Sequence, residues 1–452
     1  MKRSIKIAYL FIVVITFNQL FGNKKAQKTP DTWVTVFIHG IIGIDAQTCF
    51  ANLFQFITDQ LSHTTYAKSV EYMRANQFFM KNQAMQEVGL IPIDLNNFEK
   101  GYASGAIARS YDYVLSLCPI KQKTYYYTYG WSGLLSFKAR YYDAQRLYQE
   151  LISLRDEMLK KHNINPKFRL IGYSHGANVC LNLGRIYKEE ACSKNPLVID
   201  ELILLGAPIQ RETERLAGCP IFKKIYSFYS RSDCVQKKDL LSSQQLFSKR
   251  VFCKHREFKL PPTLTQVEVK ILTEYKSKKK KSKPTKKIRN KKATDLTKKS
   301  VIKGSSWWLK NMSPGHTELW FMAWTPRNYR INFPLYPVPI ACITPYLIQL
   351  IETTSPPQTT SRHVVTDIRP DHNYMVIKHR YPEKGFTTVS FLTKQTFDEL
   401  ATLSLVNKPD NYTMQEYNKN KDIACCKARN YRKKIIRKRR KCRKCYRTSC
   451  FK

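Results

Sequence analysis

Gly172-Tyr173-Ser174-His175-Gly176 is the stretch whose residue types and spacing could do chemistry. A serine hydroxyl is a weak nucleophile until it is held away from its own backbone and set beside a base. A sharp turn between a strand and a helix provides the first condition. Glycines two residues to either side then leave room for the neighbouring strand and helix. The surrounding chain has that context: Phe168 to Gly172 reads as a short apolar strand and His175 to Tyr187 as a helix. A helix starting directly after Ser174 offers its first N–H groups and positive dipole end to a developing oxyanion. The chemistry expected here is acyl transfer through Ser174.

The elements that must position this serine follow from hydrophobic periodicity. Thr32–Ile38, Thr124–Tyr129, Val198–Leu205, Lys224–Tyr229 and Gln266–Thr273 read as strands. Ala46–Leu61 reads as an amphipathic helix, residues 64 to 122 as mixed and mostly helical, and Phe333–Ile351 as helical after a proline-rich lead. Phe137–His162 is a long helix, with Leu147, Leu151, Leu154 and Met158 at helical spacing. Strands alternating with helices predict an α/β fold, a mostly parallel central sheet with helices on both faces. A chain of 452 residues, 43% apolar, suits one large α/β domain with insertions, or two domains. The division expected is a targeting segment over 1–22, an α/β domain over 30–351, a small appended module over 352–415 and a basic tail over 416–452.

IGYSHGANV resembles the nucleophile elbow of the α/β-hydrolase superfamily, particularly its lipases and esterases, and Phe37-Ile38-His39-Gly40-Ile41-Ile42-Gly43 resembles their oxyanion loop. The resemblance spans roughly residues 32 to 320 and implies the α/β-hydrolase fold with no cofactor. It implies the backbone N–H groups of Ile41 and His175 as the oxyanion donors. Acid and base should follow the serine in the order Ser, Asp/Glu, His. Asp233, just past the strand Lys224–Tyr229, resembles the family's acid, with Asp239 as the alternative. Among nine histidines, His316 lies in the loop where the family carries its base, and His372 is the rival. The implied reaction is two-step hydrolysis of a carboxylic ester or lipid, and the competing reading is a catalytically inactive protein that keeps the fold and a partial triad and binds polyanions or anionic membrane through its basic segments.

Charge suggests a second kind of partner. The chain has 77 Lys+Arg against 34 Asp+Glu, a net +43. Much of the excess sits in Lys276–Lys303 and in Asn418–Lys452, where like charges repel and few apolar residues oppose them, so both read as disordered. Such runs favour an anionic membrane surface or another polyanion. Nucleic-acid motifs are missing, and nucleic acid is the less expected partner. Lys2, Arg3 and Lys6 ahead of the apolar run Ile7–Phe17 read as a signal peptide or uncleaved anchor, hence an exported protein. Of 13 cysteines, Cys219 and Cys234 could pair in an oxidising compartment. Cys442 and Cys445 have zinc-like spacing without a second pair or a nearby histidine, so no metal site is expected.

Deleting Lys276–Lys303 is expected to leave the melting temperature and hydrolysis of a small soluble ester nearly unchanged. Binding to anionic vesicles should weaken, and wild-type binding should fall steeply with salt, each cation contributing about 1 kcal/mol. Binding that ignores salt and survives removal of both basic segments would refute the assignment.

Overall fold

Side chains of two opposite apolar faces alternate along the central strands and set the architecture. A computed structural model describes residues 31–42, 53–61, 64–82, 87–119, 121–190, 195–237, 248–274, 309–324, 329–410 and 412–449. The strands are β1 (Asp31–Ile38), β2 (Gly89–Ile93), β3 (Gln122–Gly130), β4 (Lys167–Tyr173), β5 (Glu201–Leu205), β6 (Ile225–Tyr229), β7 (Leu264–Glu274), β8 (Leu309–Asn311), β9 (Arg362–Arg369), β10 (Tyr374–Tyr381) and β11 (Gly385–Ser390). The helices are α1 (Leu53–Ile57), α2 (Thr65–Arg74), α3 (Gln77–Asn82), α4 (Ala103–Ser116), α5 (Phe137–His162), α6 (His175–Glu189), α7 (Arg211–Glu214), α8 (Ile340–Thr354), α9 (Lys394–Val406) and α10 (Met414–Ser449).

The strands join in one 11-stranded sheet in the order β11-β10-β9-β7-β6-β5-β4-β1-β3-β2, with β8 paired to β7. The run β3-β1-β4-β5-β6-β7-β9 is parallel, while β2, β8, β10 and β11 pair antiparallel. This is an α/β architecture with a mostly parallel, mixed sheet. On one face Phe37, Ile171, Ile203, Leu205, Phe228 and Val267 pack with residues of α4 and α8. On the other, Val34, Val36, Phe168, Leu170, Leu202 and Leu204 pack with α5 and α6. The length of α5 is set by its ends: the Ser136 hydroxyl accepts from the Ala139 N–H, and Asn163 takes a left-handed conformation at φ 53°.

A third apolar cluster caps the end of β1. It joins Ile42 and Leu135 to Phe56, Tyr66, Val70, Met73 and Phe79 of α1 to α3, and to Tyr417 and Ala424 of α10. The expected disordered tail is therefore helical from Met414 to Ser449. Its buried Tyr417, Ala424 and Ala428 recur at intervals of seven and four, and that stripe docks the helix despite its repelling charges.

Residues 352–415 do not stand apart as a module. β9 pairs in parallel with β7, and Val364 and Ile368 of β9, with Leu400 of α9, join the first apolar face. The mostly helical stretch 64–122 also contains β2, an edge strand whose Pro92 is tolerated because β2 has one neighbour. Helix α8 starts at Ile340, later than Phe333, behind Pro337 and Pro339. Within the expected helix Ala46–Leu61 only Leu53–Ile57 is helical among the described residues. Segments 1–22 and Lys276–Lys303 lie outside the described residues. No described helix is long and apolar enough to cross a membrane. Cys219 is buried, Cys234 is exposed, and both are free thiols.

Ala424→Glu forces a carboxylate into the apolar cluster that also holds Val70 and Met73, at a cost of about 2 kcal/mol or more. The expected result is lower stability in urea and faster amide exchange along α10, with exchange in the central strands unaltered. Unchanged exchange in α10 would contradict the docking.

Candidate active site

Ser174 sits between β4 and α6 with φ 52° and ψ −125°, a left-handed backbone that side chains disfavour by about 1–3 kcal/mol. Its neighbours hold it there. The Ser174 N–H donates to the Leu205 carbonyl at 2.9 Å, and the Ala177 N–H donates to the Ser174 carbonyl at 3.1 Å. A Cβ on Gly176 would lie 2.3 Å from the His39 carbonyl oxygen, and one on Gly172 would lie 2.8 Å from Cα of Ala177. Both glycines are required by close approach of backbone, so the turn seats α6 against the end of β1.

The His316 ring bridges two other loops. Its Nε2 stands 3.0 Å from Ser174 Oγ and its Nδ1 stands 2.7 Å from Asp233 Oδ2. Asp233 is fully buried and follows β6. Its Oδ1 accepts from the N–H groups of Val235 at 2.9 Å and Gln236 at 3.3 Å. A carboxylate that only accepts requires Nδ1 to carry the proton and leaves the Nε2 lone pair to the serine hydroxyl. Gly206, at φ 59°, lies beneath this pair, because a Cβ there would fall 3.1 Å from His316 Nδ1 and 3.2 Å from Asp233 Oδ2.

The β7–β8 hairpin explains how a long insertion leaves His316 in reach. Glu274 pairs with Leu309 and Leu272 with Asn311, so the chain returns to the sheet before entering the His316 loop. That loop is braced by Glu318, whose carboxylate accepts from the Gly315 N–H at 2.8 Å and from Arg330 Nε at 2.8 Å. Tyr173 braces it from the serine side. Its hydroxyl donates to the His316 carbonyl at 3.1 Å, and its ring stacks on Trp320 at 5.3 Å.

The other singled-out residues fall as follows. His175 opens α6 directly after Ser174 and is buried. Ile41 follows Gly40, whose hypothetical Cβ would lie 3.0 Å from Ser174 Cβ. His372 does not reach this place: it is exposed, 3.1 Å from Glu274. Asp239 lies outside the described residues. Among the described residues no group of three or more His, Cys, Asp or Glu is arranged to hold a metal. Tyr173, Gly206, Arg74 and Trp131 were not singled out for the site by sequence. Gly206 was visible only as a turn after a strand, and Arg74 carried no local signal.

His39, the first residue past β1, is buried beneath the turn. Its Nδ1 lies 2.6 Å from the Gly40 carbonyl, Arg74 Nη1 lies 3.1 Å from its Nε2, and its ring stacks on Trp131. Burial, reinforced by the Arg74 charge, brings its pKa down from 6.5 to about 3. Between these values the unfolded chain binds a proton that the folded chain does not. The stabilisation is whole above about pH 6.5 and is lost as pH falls toward 3, at up to about 1.4 kcal/mol per pH unit. Urea denaturation from pH 7 to 4 should show a steeper loss in the wild type than in His39→Gln. Parallel slopes would refute it.

Compared with protein-family models, with curated proteins and with solved structures, the chain matches none of them.

Proposed function

We propose that this protein is a serine hydrolase of the α/β-hydrolase type that cleaves carboxylic esters, in the manner of lipases and esterases. The observation that carries the proposal is the hydrogen-bonded chain from Ser174 Oγ through the His316 ring to the buried Asp233, ending on a serine with a left-handed backbone. The strand–turn–helix setting of Ser174, and the order serine, aspartate, histidine along the chain, support the same reading.

In the proposed mechanism His316 Nε2 takes the Ser174 proton as Oγ attacks the ester carbonyl. Asp233 holds the imidazole in the required tautomer and stabilises the cation that forms. The N–H groups of Ile41 and His175 receive the oxyanion, a good donor being worth around 3 kcal/mol. The His316 cation then returns its proton to the leaving alcohol. Water, activated by the same ring, releases the acyl group and restores the Ser174 hydroxyl. The basic stretches, including the exposed Lys433, Lys434 and Arg437 of α10, would hold the enzyme to an anionic lipid surface or another polyanion. The N-terminal segment supports an exported enzyme.

Ser174→Ala is expected to lower kcat on a soluble ester by about 10^6-fold, and Asp233→Asn by about 10^4-fold, each with an unchanged melting transition. Near-wild-type turnover in Ser174→Ala would end this reading.

A further inference from the structure

We propose that Arg74 of α2 is a positioning residue that, through the His39 ring, sets the direction in which the Ile41 N–H points. The inference rests on the hydrolase reading, in which that N–H receives the oxyanion.

Its basis is the planarity of one peptide group. The Gly40 carbonyl and the Ile41 N–H are the two ends of the same rigid peptide, so holding one fixes the other. The Gly40 oxygen lies 2.6 Å from His39 Nδ1. A carbonyl only accepts, so Nδ1 must carry a proton. On the other side of the ring, Nε2 faces Arg74 Nη1 at 3.1 Å and the Trp131 backbone N–H at 3.4 Å. Both of these groups only donate, so Nε2 must present its lone pair. The two constraints allow a single tautomer, neutral and protonated on Nδ1. Were the proton on Nε2, it would meet the guanidinium, and the bare Nδ1 would oppose the Gly40 oxygen and turn the peptide. The His39 carbonyl is pinned as well, accepting from Trp131 Nε1 at 2.6 Å. The ring therefore has little freedom except its choice of tautomer, and Arg74, which stands closer to Nε2 than the Trp131 N–H does, is the stronger of the two donors that oppose a proton there.

Arg74 belongs to the cap and not to the sheet. It ends α2, whose Val70 and Met73 pack in the cluster that includes Ala424 of α10. The direction of an N–H at the end of β1 thus depends on a side chain delivered by a helix of a different layer.

The experiment compares wild type, Arg74→Ala, Arg74→Lys, His39→Gln and the Arg74→Ala/His39→Gln double variant on a soluble ester. Inhibition by a trifluoromethyl ketone, which forms an oxyanion on the serine, is measured alongside. Arg74→Ala should lower kcat by about 10-fold or more, a part of the 10²–10³-fold cost of losing an oxyanion donor outright. KM should change little, and inhibitor affinity should weaken in parallel. Arg74→Lys should recover much of the loss, since an ammonium also only donates. In the His39→Gln background, Arg74→Ala should have no further effect. Nitrogen-15 spectra of the histidine rings should show His39 protonated on Nδ1 in the wild type and shifted toward Nε2 in Arg74→Ala. An active wild type whose Arg74→Ala variant keeps full kcat and the Nδ1 tautomer would overturn the inference and leave the hydrolase reading standing. A wild type inactive on every ester would instead overturn the hydrolase reading.

Discussion

The left-handed backbone at Ser174 is the constraint on which the rest of the site depends. At φ 52° and ψ −125° a serine is strained, and the strain persists only because the surroundings leave no alternative. Buried β4 ends one residue before it, buried α6 begins one residue after it, and its N–H is claimed by β5 through Leu205. Relaxation of the turn would drive α6 into the His39 and Ile38 carbonyls, which already sit where a Gly176 side chain would be. The turn is thus held between the two buried apolar faces of the sheet.

From that fixed point the remaining groups are brought in along independent routes. Asp233 arrives from the end of β6, His316 from the β7–β8 hairpin, and the His39–Ile42 loop from the end of β1. All of them lie outside the carboxyl ends of parallel strands. There the sheet order reverses, with β3 on one side of β1 and β4 on the other, the usual location of a site in such sheets. The Tyr173 hydroxyl and the Glu318 carboxylate join these routes, tying the His316 loop to β4 and to Arg330. The cap adds a further layer, since α2 and α10 share one cluster and α2 touches the His39 ring.

Legibility in the sequence followed the range of each interaction. Ser174 with its glycines is a local pattern, and the parallel strands are apolar runs with turns at their ends. Asp233 and His316 meet across 83 residues, and only the resemblance of their loops to the family's acid and base loops pointed to them, beside Asp239 and His372, which satisfy the same order along the chain. Helix α5 was legible to both ends because its apolar spacing, Ser136 cap and Asn163 stop are all local. Charge hid α10, where three small or aromatic residues among many cations carry the docking. β9 to β11 read as a separate module because pairing of β7 with β9 spans the basic insert and α8, and nothing local announces it. Arg74 was invisible for a related reason: its contact with His39 depends on where a helix lands in the cap, not on the residues beside it.

Labelling with a fluorophosphonate, followed by mapping of the modified peptide, tests the central claim most directly. The reagent needs a serine hydroxyl that a neighbouring base has made nucleophilic, and it needs no knowledge of the natural ester. The geometry calls for one adduct, on the peptide bearing Ser174, abolished in His316→Ala while the melting transition stays in place. An adduct on a different serine, or equal labelling of wild type and His316→Ala, would mean that the Ser174–His316–Asp233 chain is not the reactive centre.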